Sequence, residues 1–464
     1  MALITGIPTE LIHEILSYIQ LEDLENFAQI SKKIYTVAVP FLSEHRALCR
    51  KYSTFTSDQA PSSLITRSEF LKRVLGDPSV GRYVKTIKLL GKQDDDDVPY
   101  QGQELLKEDQ QLLGQLAREI GFFKWILTAG APNTHLSPIV FFAEPLILIL
   151  LLLRFRNATS IHVEAGFVDH HHQKAVFYEF LREMASHPSP ALSNLTKISL
   201  RPSPMQASSI AEAQIFCALP SVKFFSAPDL GGSESVEVGL TMLNTANLPS
   251  TITQLELWNC AARPECLYEF LRGFTRLQNF KYSFADPAKF PPIKAPHFNP
   301  FMIRNGLISH SATTLRKMVL LAHPNDHAPP FMGSLREFSA LTELRTTYSC
   351  LAGTDCYHQL LSQILPHSLR RLVLDGQKSS MSDEAHYYRD PVRFTVGAAV
   401  DAKAGAGRGL LRTVPIEELV FTGYEGFASD EDKELALGRA EDVAIAVKFL
   451  AIDELDQTFM ASSH

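Results

Sequence analysis

One short pattern recurs along most of this chain: an apolar residue, two others, an apolar residue, one other, and a third apolar residue. It reads VKTIKL at 84–89, ATSIHV at 158–163, LTKISL at 195–200, VKFFSA at 222–227 and ITQLEL at 252–257. It continues as LQNFKY at 277–282, LRKMVL at 315–320, LTELRT at 341–346, LRRLVL at 369–374 and IEELVF at 416–421. The last two apolar positions of each copy are two apart, which places them on one face of a β-strand. Several copies follow turn signals such as LPS at 219–221 and 248–250 or LPHS at 365–368. Between copies lie runs with helical period: Phe177, Phe180, Leu181 and Met184, then Leu267, Phe270, Leu271 and Phe274. Strand followed by helix, repeated, predicts stacked units that bury one another: an α/β fold built as a solenoid with a parallel inner sheet.

The pattern resembles the strand portion of a leucine-rich repeat, L-x-x-L-x-L. Corresponding positions are mostly 25 to 38 residues apart, with one gap of 47 and one of 74, so the resemblance is to an irregular leucine-rich-repeat-like solenoid. The longest gap, 87 to 161, holds two helical runs, near Glu104–Thr128 and Glu144–Arg154. Three stretches read as loops: GKQDDDDVPYQGQ (91–103), the proline-rich ADPAKFPPIKAPHFNP (285–300), and the polar segment 376–409. Gly438–Leu455 is helix-like and would cap the last repeat. LSPIVFFAEPLILILLLL (136–153) is interrupted by Pro138, Glu144 and Pro145 and is shorter than the ~20 apolar residues a bilayer span needs, so it reads as a buried helix.

The first fifty residues have a different texture. Pro8 suits a first helical position, Glu10 sits near the positive end of the helix dipole, and Leu11, Ile12, Ile15, Leu16 and Ile19 follow at helical spacing. Leu21–Ile30 predicts a second short helix with Leu24, Phe27 and Ile30 as its apolar face. Ser31 can cap a third helix carrying Ile34, Tyr35, Ala38 and Leu42. A module this small has little interior. Part of so much apolar surface must meet something else, either the rest of the chain or a partner.

The run I-P-x-E-L-I-x-x-I-L-x-x-I, then D-L-x-x-F, then I-S-K-x-x-Y, resembles the F-box over residues 4–48. Ile7, Ile30 and Tyr35 are like-for-like replacements of the family's usual Leu, Val and Trp. With a repeat-like tail, the arrangement looks like the F-box proteins abundant in filamentous fungi. The resemblance implies binding to a Skp-type adaptor and, through it, to a cullin in an SCF-type cullin–RING ubiquitin ligase. By position, the adaptor-contact or motif residues would be Pro8, Leu11, Ile12, Ile15, Leu16, Leu24, Ile30 and Ser31, some of which must also hold the helices together. Lys32 and Lys33 read as a solvated face. The expected organisation is an F-box at 1–50, a helical linker at 51–82 and a leucine-rich-repeat-like domain at 83–464.

Other chemistry is sparse. A net charge of −7 does not suggest a nucleic-acid partner. Six scattered cysteines without a CxxC pair fit neither a zinc site nor a disulfide scaffold, and no signal peptide opens the chain, so an intracellular setting, cytoplasm or nucleus, is expected. GAGRG (405–409) lacks the full GxGxxG and a preceding strand. His170–His172 read as a polar turn before a helix starting near Lys174, and Asp94–Asp97 as a solvated acidic loop. No catalytic constellation, metal site or cofactor is expected.

If the strands stack, their non-core positions form one row on the inner face. It runs from Lys88 through Glu256, Lys281, Val319, Arg345, Val373 and Val420, with Trp258 and Leu321 in the next row. The candidate contacts for an unknown target protein are Glu256, Trp258, Lys281, Leu321 and Arg345. The overall expectation is a non-catalytic substrate receptor, with a non-ligase scaffold as the alternative.

Overall fold

The computed structural model describes residues 6–19, 23–57, 63–91, 106–129, 138–168, 171–187, 191–202, 208–231, 250–285, 298–323, 331–352, 364–375, 396, 415–422, 430–441 and 444–450. The chain divides into two compact units, Met1–Ile198 and Ser199–His464.

The first unit opens with three helices, α1 (Thr9–Tyr18), α2 (Leu24–Ala28) and α3 (Lys32–Tyr52). Pro8 stands immediately before α1 and Glu10 lies in its first turn. The Ser31 hydroxyl caps α3 by accepting the Ile34 N–H at 3.2 Å. Ile12, Leu16, Leu24, Ala28, Ile34, Ala38 and Leu42 meet in a common interior. Next come β1 (Thr54–Ser57), α4 (Ser63–Gly76), α5 (Pro78–Tyr83) and β2 (Thr86–Leu89). The segment expected as a helical linker therefore contains a strand. Phe55 and Ser57 of β1 face inward, and Thr54 pairs with Thr86 in a parallel ladder.

The described residues of the long gap between repeats are helical in both stretches where a helical run was expected: α6 (Lys107–Glu119) and α7 (Phe122–Thr128), then α8 (Pro138–Phe141) and α9 (Ala143–Arg154). Helix α9 buries Ala143 and every residue from Pro145 to Leu152, because it is apolar all round. Among the described residues, no helix is long and apolar enough to cross a membrane. β3 (Ser160–Glu164) pairs with β2, and α10 (His171–Ser186) follows. α10 begins three residues before the predicted start near Lys174. The chain passes into the second unit within β4 (Lys197–Arg201).

The second unit alternates strands with helices: α11 (Ile210–Cys217), β5 (Phe224–Ser226), β6 (Gln254–Cys260), α12 (Pro264–Leu271), β7 (Asn279–Phe284) and α13 (Pro300–Ser311). β8 (Lys317–Leu321), β9 (Glu343–Thr347), α14 (Tyr348–Ala352), β10 (Arg371–Asp375), β11 (Glu418–Thr422), α15 (Asp430–Glu441) and β12 (Ala446–Leu450) complete it. The fold class is α/β with an N-terminal helical region. Twelve strands are present among the described residues, and from β5 to β12 each pairs in parallel with its sequence neighbour. One row of the ladder runs Leu255, Phe280, Met318, Leu344, Leu372, Leu419, Val447. This row is what the repeated sequence pattern encodes.

The ten predicted strand copies correspond to β2 through β11. All three patterned positions of every copy are buried, including the polar exception Thr346, whose hydroxyl donates to the Leu320 carbonyl at 2.9 Å. Each large apolar side chain placed this way contributes roughly 1.5–3 kcal/mol over its exposed state. Neighbouring repeats are also joined where strands begin. The Arg316 carbonyl accepts the N–H groups of Thr342 and Glu343, at 2.9 and 3.1 Å, and the Thr342 carbonyl accepts those of Arg370 and Arg371, at 2.9 and 3.0 Å.

In Gly438–Leu455, predicted as one capping helix, the described residues are instead the end of α15 up to Glu441, Ala444 with a φ of 53°, and strand β12. Val447 and Phe449 suit an extended chain, and β11 offers them a ladder, with Phe449 stacked 5.3 Å from Phe421. Asp94–Asp97, His170, GAGRG at 405–409 and most of the three predicted loops lie outside the described residues.

Candidate protein-docking sites

In the N-terminal helices the interior takes one side of α1 and leaves the other bare. Ile12 and Leu16 point inward, while Leu11 (49% exposed), Ile15 (37%) and Tyr18 (81%) point outward. Their spacing of four and three residues makes one stripe along the helix. Ile30 (50%) is exposed beyond α2, Tyr35 and Val39 form an exposed pair one turn apart on α3, and Pro8 is exposed at the head of α1. A module this small showing so many large apolar side chains has the character of an interaction surface.

The eight expected adaptor contacts therefore separate into two groups. Pro8, Leu11, Ile15 and Ile30 are open to a partner. Ile12, Leu16 and Leu24 are corrected to interior residues: all three lie in the helical core and reach a partner only if the module opens. Ser31 is the N-cap of α3, a structural role. Tyr18 and Val39 were missed, although Tyr18 continues the Leu11–Ile15 stripe by one turn. Tyr35 was read as part of the apolar face of α3 and lies on its outer side. Lys33, expected in water, donates from Nζ to the Ile7 carbonyl at 2.6 Å and so fastens the start of the module to α3. Arg46 and Glu25 make an exposed pair at 3.1 Å, which contributes little.

The non-core face of the second unit's sheet carries the expected target contacts. Glu256 and Lys281 are paired with each other at 3.0 Å, and the Lys281 ammonium lies 6.0 Å from the centroid of the half-buried Trp258 ring. Val319, Val373 and Val420 form a buried cluster on this face, with Leu321, Trp258 and Leu450 packed against it. Arg345 is buried, and its guanidinium donates to both carboxylate oxygens of Asp375, at 2.8 and 3.2 Å. Asp375 also accepts the Thr422 hydroxyl. Arg345 is thus corrected from a presented contact to a member of a packed layer, whereas Leu321, like Trp258, is only partly buried. The charges that precede them in the strands form a second network: Glu343 holds Lys317 and Arg371, and Glu418 holds Arg371 and Lys448, at 2.5–3.0 Å. Glu256, Trp258, Lys281 and Leu321 remain partly accessible.

Among the described residues of these surfaces, no nucleophile is assembled with a base. Burial pushes the Cys217 thiol well up and the Cys260 thiol up to about 12, so both stay protonated. Burial, assisted by Glu25, also raises the Cys49 thiol. Among the described residues, no group of three or more His, Cys, Asp or Glu is placed to hold a metal ion. His172 lies in the first turn of α10.

No curated protein matches the chain. The family model of the F-box domain matches residues 4–39, the stretch that holds α1, α2, the exposed Ile30 and the first turns of α3. An F-box domain generally binds Skp-type adaptors and suggests a place in SCF-type ubiquitin-ligase complexes, and its match falls on these bare-faced helices.

Proposed function

We propose that this protein is the substrate-receptor subunit of an SCF-type cullin–RING ubiquitin ligase. The reading rests on one observation: Pro8, Leu11, Ile15 and Ile30 stay exposed on a module whose interior is already closed by Ile12, Leu16 and Leu24. The exposed set docks the Skp-type adaptor and, through it, a cullin. The strand–helix units, an irregular leucine-rich-repeat-like solenoid in this reading, hold a target protein for ubiquitin-dependent degradation. The domain scheme is an F-box at 1–50, a connecting segment at 51–82 and the repeats at 83–464, in an intracellular protein of the fungal type. The receptor performs no bond chemistry. It raises the effective concentration of the target at the ligase, which makes transfer effectively intramolecular.

The test is co-purification of the full chain with adaptor and cullin. Pro8→Ala combined with Leu11→Ala or Ile15→Ala should abolish adaptor capture while leaving the thermal unfolding of the rest unchanged. Full-strength capture by that mutant would refute the docking assignment. The packed sheet face around Arg345 favours one second reading, a non-ligase scaffold that uses the F-box for adaptor binding alone. Recovery of adaptor without cullin would select it.

A further inference from the structure

The first unit carries another open feature at the far end of α3. At 1.5 Å per residue the 21 residues of α3 reach about 30 Å, from its cap at Ser31 to Tyr52. There β1 begins. β1 is the terminal strand of its sheet, paired with β2 on one side, and among the described residues no strand pairs with its other edge. Its N–H and C=O groups on that edge are a template for another extended chain. Thr54 and Thr56 of β1 are exposed, and the strand lines an open cavity of about 280 Å³. Tyr52, Phe55 and Phe70 give the cavity aromatic walls, with the Phe55 and Phe70 rings 5.3 Å apart, and Lys51, Thr54 and Thr56 also line it. A space of this size takes one or two side chains and is small for a cofactor.

The charge beside the cavity is one-sided. Arg67, which also lines it, is buried and paired with Glu144. Lys51 and Arg73 are both exposed, and both bear on Tyr52. Arg73 donates to the Tyr52 hydroxyl at 3.1 Å, and the Lys51 ammonium lies 5.2 Å from the ring centroid. Burial opposes ionisation of that phenol, yet the hydrogen bonds from Lys51 and Arg73 outweigh it and hold the group below its usual range. Among the described residues, no carboxylate forms an ion pair with Lys51 or Arg73.

We propose that the free edge of β1 and this cavity bind an extended acidic peptide of a partner protein. The peptide backbone adds to β1 as a strand, an apolar side chain enters the cavity against the rings of Tyr52, Phe55 and Phe70, and flanking Asp or Glu side chains face Lys51 and Arg73. A second copy of this chain is the poorer occupant. Edge-to-edge pairing of two β1 strands about a twofold axis brings Lys51 and Arg73 of one copy toward those of the other, and like charges oppose association. The proposal does not rest on adaptor docking, because the surface is separate from the exposed stripe of α1 and the assay needs no adaptor.

The experiment is fluorescence anisotropy on the full chain with a labelled peptide of alternating valine and glutamate, about eight residues long to match a strand. Saturable binding that weakens with added salt is expected. Lys51→Glu with Arg73→Glu should weaken it roughly tenfold or more while the circular-dichroism spectrum stays that of the folded parent. A peptide with N-methylated valines, tested on the unaltered chain, should also fail, because it cannot complete the ladder. Equal binding of the N-methylated peptide or of a valine–lysine peptide would overturn the proposal. So would self-association of the chain that the double substitution leaves intact.

Discussion

The N-terminal helices and strands β8–β11 treat large apolar side chains in opposite ways. α1 turns three of its five large apolar residues outward, with Leu11, Ile15 and Tyr18 exposed above a core of Ile12 and Leu16. In β9 every residue is buried, and in β8, β10 and β11 the three central residues are buried as well, so both faces of the sheet are sealed there. Two inward rows of a short helical bundle cannot absorb all the apolar residues it carries, and what is left over stays exposed. A sheet whose second face is packed uses the same residue types for stability. Apolar content therefore does not say which role a segment plays; the number of faces that must be covered does.

The largest effect that would break this contrast lies in the sealed region. Arg345→Met leaves Asp375 as a carboxylate without its buried cation, which should cost about 3–5 kcal/mol in urea unfolding. Changing Asp375→Leu as well should recover most of that loss. A cost for Arg345→Met under about 0.5 kcal/mol, the surface value, would show that this face is open to water and available for recognition after all.

A neighbouring pair in α1 sharpens the comparison within a single turn. Ile12→Ala empties a fully buried position and should destabilise the helical module by about 2–4 kcal/mol. Leu11→Ala, one residue earlier, should change stability by no more than about 0.5 kcal/mol. In adaptor capture the order of the direct effects reverses: Leu11→Ala should weaken binding by about 2 kcal/mol as a central apolar contact, without unfolding. If Ile12→Ala and Leu11→Ala proved alike in both measurements, the division into interior and docking residues would fail.

How much of this was legible in the sequence follows from period and partner. Ten strands were readable because residues two apart face one core, and every patterned position from Val84 to Phe421 is buried. β1 carries no full copy of the pattern, whereas β12 does, AIAVKF at 444–449, which the reading of this stretch as a helix passed over. β12 was concealed because Ile445, Val447 and Phe449 sit in a stretch equally compatible with a helix until β11 supplies a ladder. In α1 the apolar residues were visible but their division was not. Leu11 and Ile12 differ only in which way the helix is rotated against α2 and α3, which is a tertiary fact. The inner sheet face misled for a related reason. Alternation told which residues leave the core, and nothing local told that Val319, Val373 and Val420 would be covered on the other side. The pairing of Arg345 with Asp375 links residues thirty apart through register alone.

The smallest effect tests whether the first unit also contains sealed polar contacts away from its bare helices. The Trp125 indole N–H donates to the Glu183 carboxylate at 2.5 Å, joining α7 to α10, and Lys124 adds a contact at 3.3 Å. The Trp125 hydrogen bond, against the opposing pull of burial, holds the Glu183 carboxyl below the usual glutamate range. A folded-state pKa below the unfolded one means that the contact stabilises fully above the ordinary glutamate pKa, about 4.3, and loses its effect as pH falls through the folded value. Glu183→Gln should therefore cost about 0.5–1.5 kcal/mol at neutral pH and progressively less in acid. The chain has two tryptophans, so Trp258→Phe leaves Trp125 as the sole indole reporter. Its emission should shift with a midpoint below about 4.3 in the parent and show no such step in the Glu183→Gln variant. A midpoint above that value would mean that burial, not the indole, governs Glu183, and that the α7–α10 contact opens to protonation earlier than a sealed contact would.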